Sequence, residues 1–101
     1  MNAKEKQALS SSLIGETFGL LDECLRLDQI SKEDHREIIE QLDHVRLTLL
    51  VEKASQWRRH CCFFLVRDAA EVERCVNNHP SVKHTKWKIN DRIAKAAAAL
   101  I

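Results

Sequence analysis

The sequence predicts an all-α fold: a long helical hairpin followed by one or two shorter C-terminal helices. Three observations carry this. The chain of 101 residues holds only two Gly and one Pro and has no Tyr, so it lacks the turn formers that tight strand connections consume. Ile38, Leu42, Val45 and Leu49 recur at spacings of one helical face. The C-terminus, AKAAAALI, has high helix propensity. The length suits one domain over 1–101, with a hairpin at 1–57 and a basic helical part at 58–101.

Helix 1 is expected from Ala3 to Leu27, with Asn2 and Glu5 placed as a capping pair. Leu9, Leu13, Leu20, Cys24 and Leu27 form one apolar stripe, and Ile14, Phe18, Leu21 and Leu25 an adjoining one. Together they cover more of the helix than one neighbour needs, which favours a bundle or a dimer. Gly15 and Gly19 lie inside this helix and form a small-residue row with Ser11. Such a row either admits another helix backbone at close range or is a tolerated flaw. Asp28-Gln29-Ile30 is short enough for an antiparallel turn.

The central helix should start at Ser31, whose side chain can accept from the amide of Asp34, with Glu33 and Asp34 complementing the helix dipole. It is expected to run to Trp57 without a break. Leu47, Leu50, Val51 and Ala54 extend its apolar surface to other sides, as though several neighbours covered it. The first half resembles, in outline, the Rop-type RNA-modulating helical hairpins of plasmids. The likeness lies in Lys4-Glu5-Lys6-Gln7-Ala8-Leu9, in Thr17-Phe18-Gly19-Leu20-Leu21-Asp22 leading to Leu27-Asp28, and in Ile38-Ile39-Glu40-Gln41-Leu42. It implies a hairpin architecture, and no RNA-binding residue is carried over.

Residues 57–66, WRRHCCFFLV, continue the helical spacing through Trp57, Cys61 and Phe64. Asp68 with Glu71 looks like a fresh N-cap, opening a short helix over 69–76 that buries Val72, Cys75 and Val76. Asn77-Asn78-His79 ends it, and Pro80 opens a last helix carrying Val82, Ile89, Ile93, Ala96 and Leu100 inward. The alternative takes 61–66 and 84–89 as strands, making a small C-terminal β-α-β-α unit and an α+β fold.

Charge is uneven. Residues 1–52 carry six Lys and Arg against eleven Asp and Glu, a balance of −5; residues 53–101 carry ten against four, a balance of +6. Two solvated faces, two halves packed on each other, or a basic half seeking an acidic partner all fit this pattern. The N-terminus is polar and no apolar run approaches the ~18 residues of a membrane span, so a cytoplasmic protein with no membrane partner is expected. Cys24, Cys61, Cys62 and Cys75 are then expected as reduced thiols.

No residue pattern supplies a nucleophile, a base and an orienting group. Asp34-His35 and Asp43-His44 are sequence neighbours that diverge on a helix, and no glycine-rich phosphate loop exists. The chain is read as non-enzymatic and without a cofactor. Cys62, Cys75, His79 and His84 have zinc-compatible chemistry, but the Cys spacing is unlike that of closed zinc sites. Core cysteines and loop histidines are the simpler reading, and no metal is assigned. The leading expectation is a regulator that binds and modulates or inhibits another protein, of a kind mobile elements encode, and that forms a homodimer. Its candidate contacts are Trp57, Arg58, Arg59, Trp87 and Lys88, cationic and aromatic as interface anchors tend to be. The alternative is a DNA- or RNA-binding regulator with a helix-turn-helix-like basic region, using Lys83, Lys86, Trp87, Lys88, Asn90, Arg92 and Lys95.

Overall fold

A computed structural model describes residues 1–51, 54–77 and 82–101, with the backbone alone at 54 and 55. Among these residues the chain is all-helical, with α1 at Ala3–Arg26, α2 at Lys32–Val51, α3 at Ala54–Cys75 and α4 at Lys83–Ala99. The α+β alternative is therefore not supported: 61–66 and 84–89 are both helical. Each helix packs on its neighbours in sequence, and α1 also packs on α4, closing a four-membered ring.

The caps read from sequence are present. The Asn2 side chain accepts from the amide of Glu5 at 2.8 Å, and Ser31 Oγ accepts from the amide of Asp34 at 3.1 Å. α1 stops because Asp28 takes a left-handed conformation, with φ of 60°. The amide of Gln29 then donates to the carbonyl of Cys24 and that of Asp28 to Leu25, a Schellman turn with Asp where Gly is usual. This turn meets the far end of α3, where the amide of Asn77 donates to the Gln29 carbonyl at 2.9 Å. At the opposite end Ser10 Oγ donates to the carbonyl of Ala96 at 2.9 Å. These two ties fix α1 antiparallel to α4 and set the α1–α2 turn beside the end of α3.

Two boundaries differ from expectation. The central helix does not reach Trp57 unbroken: α2 ends at Val51 and α3 begins at Ala54. No second break occurs near Asp68; α3 runs straight through it. The short helix over 69–76 is thus the tail of α3. The expected stop at Asn78 and His79 and the expected start at Pro80 lie outside the described residues.

The core is built from the predicted faces. Ile38, Leu42, Val45 and Leu49 are buried, as are Val72 of α3, Val76 just past its end, and Val82, Ile89, Ile93, Ala96 and Leu100 around α4. At about 1.5–3 kcal/mol for each large apolar side chain removed from water, these positions dominate the stability. The α1 stripes are rotated from expectation. Leu9 and Leu27 are exposed, whereas Ser10 and Thr17 are fully buried beside Ile14, Leu21 and Cys24. Small Ala96 and Ala97 on α4 lie on its buried face, opposite small Ser10, and each hydroxyl finds a carbonyl: Ser10 on Ala96, Thr17 on Leu13. Leu47, Leu50 and Val51 do not meet further neighbours; they are exposed on α2. The side chain of Ala54 lies outside the description.

Candidate functional site

The residues singled out from sequence do not form one surface. Trp57, Arg58 and Arg59 sit in the first turns of α3. Trp87 and Lys88 sit in the first turns of α4, beside the other end of α3: the neighbouring Lys86 reaches Glu73, sixteen positions after Trp57. At 1.5 Å per residue the two groups lie about 24 Å apart along the bundle. The five residues are therefore two sites or none. Trp87 is exposed and stacks on His84, with ring centroids 6.4 Å apart.

The basic helix is less free than its sequence suggests. Lys86 is buried, its ammonium 2.9 Å from a Glu73 carboxylate oxygen and 3.1 Å from the Glu73 carbonyl. Arg92 pairs with Glu16 of α1 and with Asp91, Lys95 pairs with Asp91, and Asn90 donates to Glu73. Lys83, Trp87 and Lys95 of that set are exposed, with Lys88 half-buried. Lys86 stands as a correction: it faces inward because α4 turns the side carrying Val82, Ile89 and Ile93 toward the core. The helix-turn-helix reading also loses its short first helix, which is part of the 22-residue α3.

The zinc set does not converge. Cys62 and Cys75 lie on one helix thirteen positions apart, about 20 Å at helical rise. His79 lies outside the described residues, and no cluster of three His, Cys, Asp or Glu among those described could hold a metal. The cysteines form no disulfide among the described residues. Burial pushes the Cys24 and Cys61 thiols above their ordinary range, which suits inert core thiols rather than nucleophiles.

What the fold does build is a groove on the outer side of the α2–α3 contact. Its upper part, about 260 Å³, lies between His44 and Thr48 of α2 and an aromatic ladder on α3. In that ladder Trp57, His60 and Phe64 meet edge to face, with centroids 5.7 and 5.1 Å apart. Helical spacing explains it, since three and four positions bring successive rings onto one side of α3. The lower part, about 290 Å³, shares His44 and Phe64 and is walled by Glu37, Glu40, Arg67 and Asp68. The Arg67 guanidinium lies 4.8 Å from the centre of the Phe64 ring. The groove thus passes from an aromatic half to an acidic half.

Asp68 is the unusual member. Its side chain is fully buried, and neither carboxylate oxygen has a hydrogen-bond partner among the described residues. Burial raises its pKa from 3.8 to about 6, against the opposing pull of the Arg67 charge. Reading Asp68 as a cap missed this. The signal was there: Cys61, Leu65, Asp68 and Val72 keep core spacing, and Asp occupies one of those core positions.

No protein-family model matches the sequence, and neither a curated protein nor a solved structure matches it. The likeness of the first half to Rop-type hairpins is accordingly one of outline alone.

Proposed function

We propose that the chain is a small non-enzymatic regulator that binds another protein and modulates or inhibits it through the groove between α2 and α3. The observation that carries this reading is the groove itself. A surface cleft walled by Trp57, His60 and Phe64 and closed at one end by carboxylates has the aromatic anchors and polar rim of a protein-binding surface. A helix laid along two neighbouring helices is the mode such a cleft fits. Of the residues expected to make contact, Trp57 lies in the groove; Arg58 and Arg59 line a separate cavity with Cys62, Leu100 and Ile101, and Trp87 and Lys88 belong to the other end of the bundle.

A second copy is not required by this reading. Of the apolar width that favoured a dimer, Leu13, Phe18, Leu20 and Leu25 pack on the chain's own core, while Leu9, Leu27, Leu47, Leu50 and Val51 stay exposed. A nucleic-acid role on α4 loses the charge of Lys86, Arg92 and Lys95 to carboxylates. The test is capture from lysate of the native cells with wild type and Phe64→Glu, each with and without nuclease and high salt. A stoichiometric protein that survives both treatments and is lost with Phe64→Glu supports the reading. Material that disappears with nuclease, or that Phe64→Glu still retains, contradicts it; a second copy of this chain as the captured species moves the interface to dimerisation.

A further inference from the structure

We propose that the acidic end of the groove is a receptor for a guanidinium or ammonium group, an Arg or Lys side chain on a helical segment of the partner, with the Asp68 carboxylate as its buried counter-ion. This rests on the docking reading above and specifies the chemistry of what docks.

Four observations converge. Asp68 lines the lower pocket, is fully buried, and has both oxygens without partners among the described residues. A buried polar group is ordinarily satisfied, because leaving it unpaired costs free energy; an unpaired carboxylate at the base of a pocket is therefore set for a donor from outside. Glu37 and Glu40 stand on the same pocket, so its charge selects a cation. Phe64 supplies a ring face that already accepts a guanidinium, that of Arg67, at 4.8 Å. Arg67 makes no hydrogen bond to Asp68, so the chain's own cation covers the ring without satisfying the carboxylate. At neutral pH Asp68 is largely ionised, since its pKa is about 6; an incoming cation meets an anion and makes charge-assisted hydrogen bonds with it.

The geometry also defines the partner. Phe64 and Asp68 are four residues apart on α3, about one helical turn. The partner helix should place its basic residue one turn beyond an apolar residue resting on Phe64 and His60. Its remaining apolar side chains should follow the ladder toward Trp57.

The probe is n-butylguanidinium, with neutral n-butylurea as its near-isosteric control, added to the full chain at neutral pH. Amide resonances of 64–68 and the side-chain carboxyl carbon of Asp68 are followed by NMR. The proposal expects saturable shifts with butylguanidinium in the millimolar range, as befits so small a ligand, and none with butylurea. Asp68→Asn should weaken the response about tenfold or more, and Arg67→Gln, which clears the ring of its resident cation, should strengthen it. No saturable shift in wild type, an equal response to butylurea, or an undiminished response in Asp68→Asn overturns the proposal. Such a failure leaves the Phe64-dependent capture untouched. Conversely, a Phe64-independent capture with an intact butylguanidinium response overturns the assignment of the cation to a protein partner.

Discussion

Replacing Asp68 with Asn should stabilise the protein at neutral and alkaline pH and leave it nearly unchanged in acid. In the folded state burial holds this carboxyl at about 6, against an ordinary value of 3.8. The folded protein therefore binds the Asp68 proton more tightly than the unfolded chain does. Below 3.8 both states are protonated and the group costs nothing. As pH rises from 3.8 to about 6 the unfolded chain gains freedom to ionise that the folded chain lacks, and stability falls. Above that window the full penalty is present, about 3 kcal/mol at 1.36 kcal/mol for each unit separating the two values. Asn keeps the shape and cannot ionise. Every other titrating group is common to both proteins, so the difference between their unfolding free energies isolates Asp68. Urea unfolding followed by circular dichroism should give near-equal stabilities at pH about 3.5 and an advantage of about 3 kcal/mol for Asp68→Asn at pH about 8. A difference that stays flat with pH, or a variant less stable than wild type at pH about 8, would refute the reasoning. Asp68 would then have a partner that stabilises its charge.

Five further substitutions test other parts of the structure. A Cβ built at Gly15 or Gly19 meets nothing within 4 Å, so Gly15→Ala and Gly19→Ala should each raise stability by about 0.5–1 kcal/mol in thermal unfolding; a loss would show that the row is occupied closely by another backbone. Asp28 holds a φ of 60° at the end of α1, and Asp28→Gly should stabilise by about 0.5–1 kcal/mol by relieving that conformation. Lys86→Glu puts a carboxylate at a buried position beside the half-exposed Glu73 and should cost about 2–3 kcal/mol. Lys83→Glu, on the exposed side of the same helix, should change stability by about 0.5 kcal/mol or less; the two are compared in one denaturant series.

Much of the architecture was legible because it is written in local periodicity. The face of Ile38, Leu42, Val45 and Leu49, the inward set on α4, and the caps at Asn2 and Ser31 all follow from spacing and side-chain chemistry within one helix. The misreadings have tertiary causes. Asp68 and Glu71 carry the local signature of a helix start, yet the apolar spacing of Cys61, Leu65 and Val72 continues α3 through them, and packing overrode the cap. Ser10 reads as polar surface until α4 presents the small Ala96 to α1. Lys86 reads as a free cation until α3 presents Glu73. The groove is of the same kind. Trp57 and Phe64 were visible at helical spacing, but only the register of α3 on α2 sets the ladder opposite His44 and brings Phe64 beside Glu37 and Glu40.

The central claim, that a protein partner lies along the α2–α3 groove, is tested most directly by position-specific photocrosslinking in the native cells. A benzophenone amino acid is placed in turn at Thr48 and His60, which line the groove, and at Ser12 on the exposed face of α1. The account predicts one heavier crosslinked species, the same at Thr48 and His60, absent at Ser12 and abolished by Phe64→Glu. Crosslinks to nucleic acid, or a species that forms equally from Ser12 and survives Phe64→Glu, would contradict it.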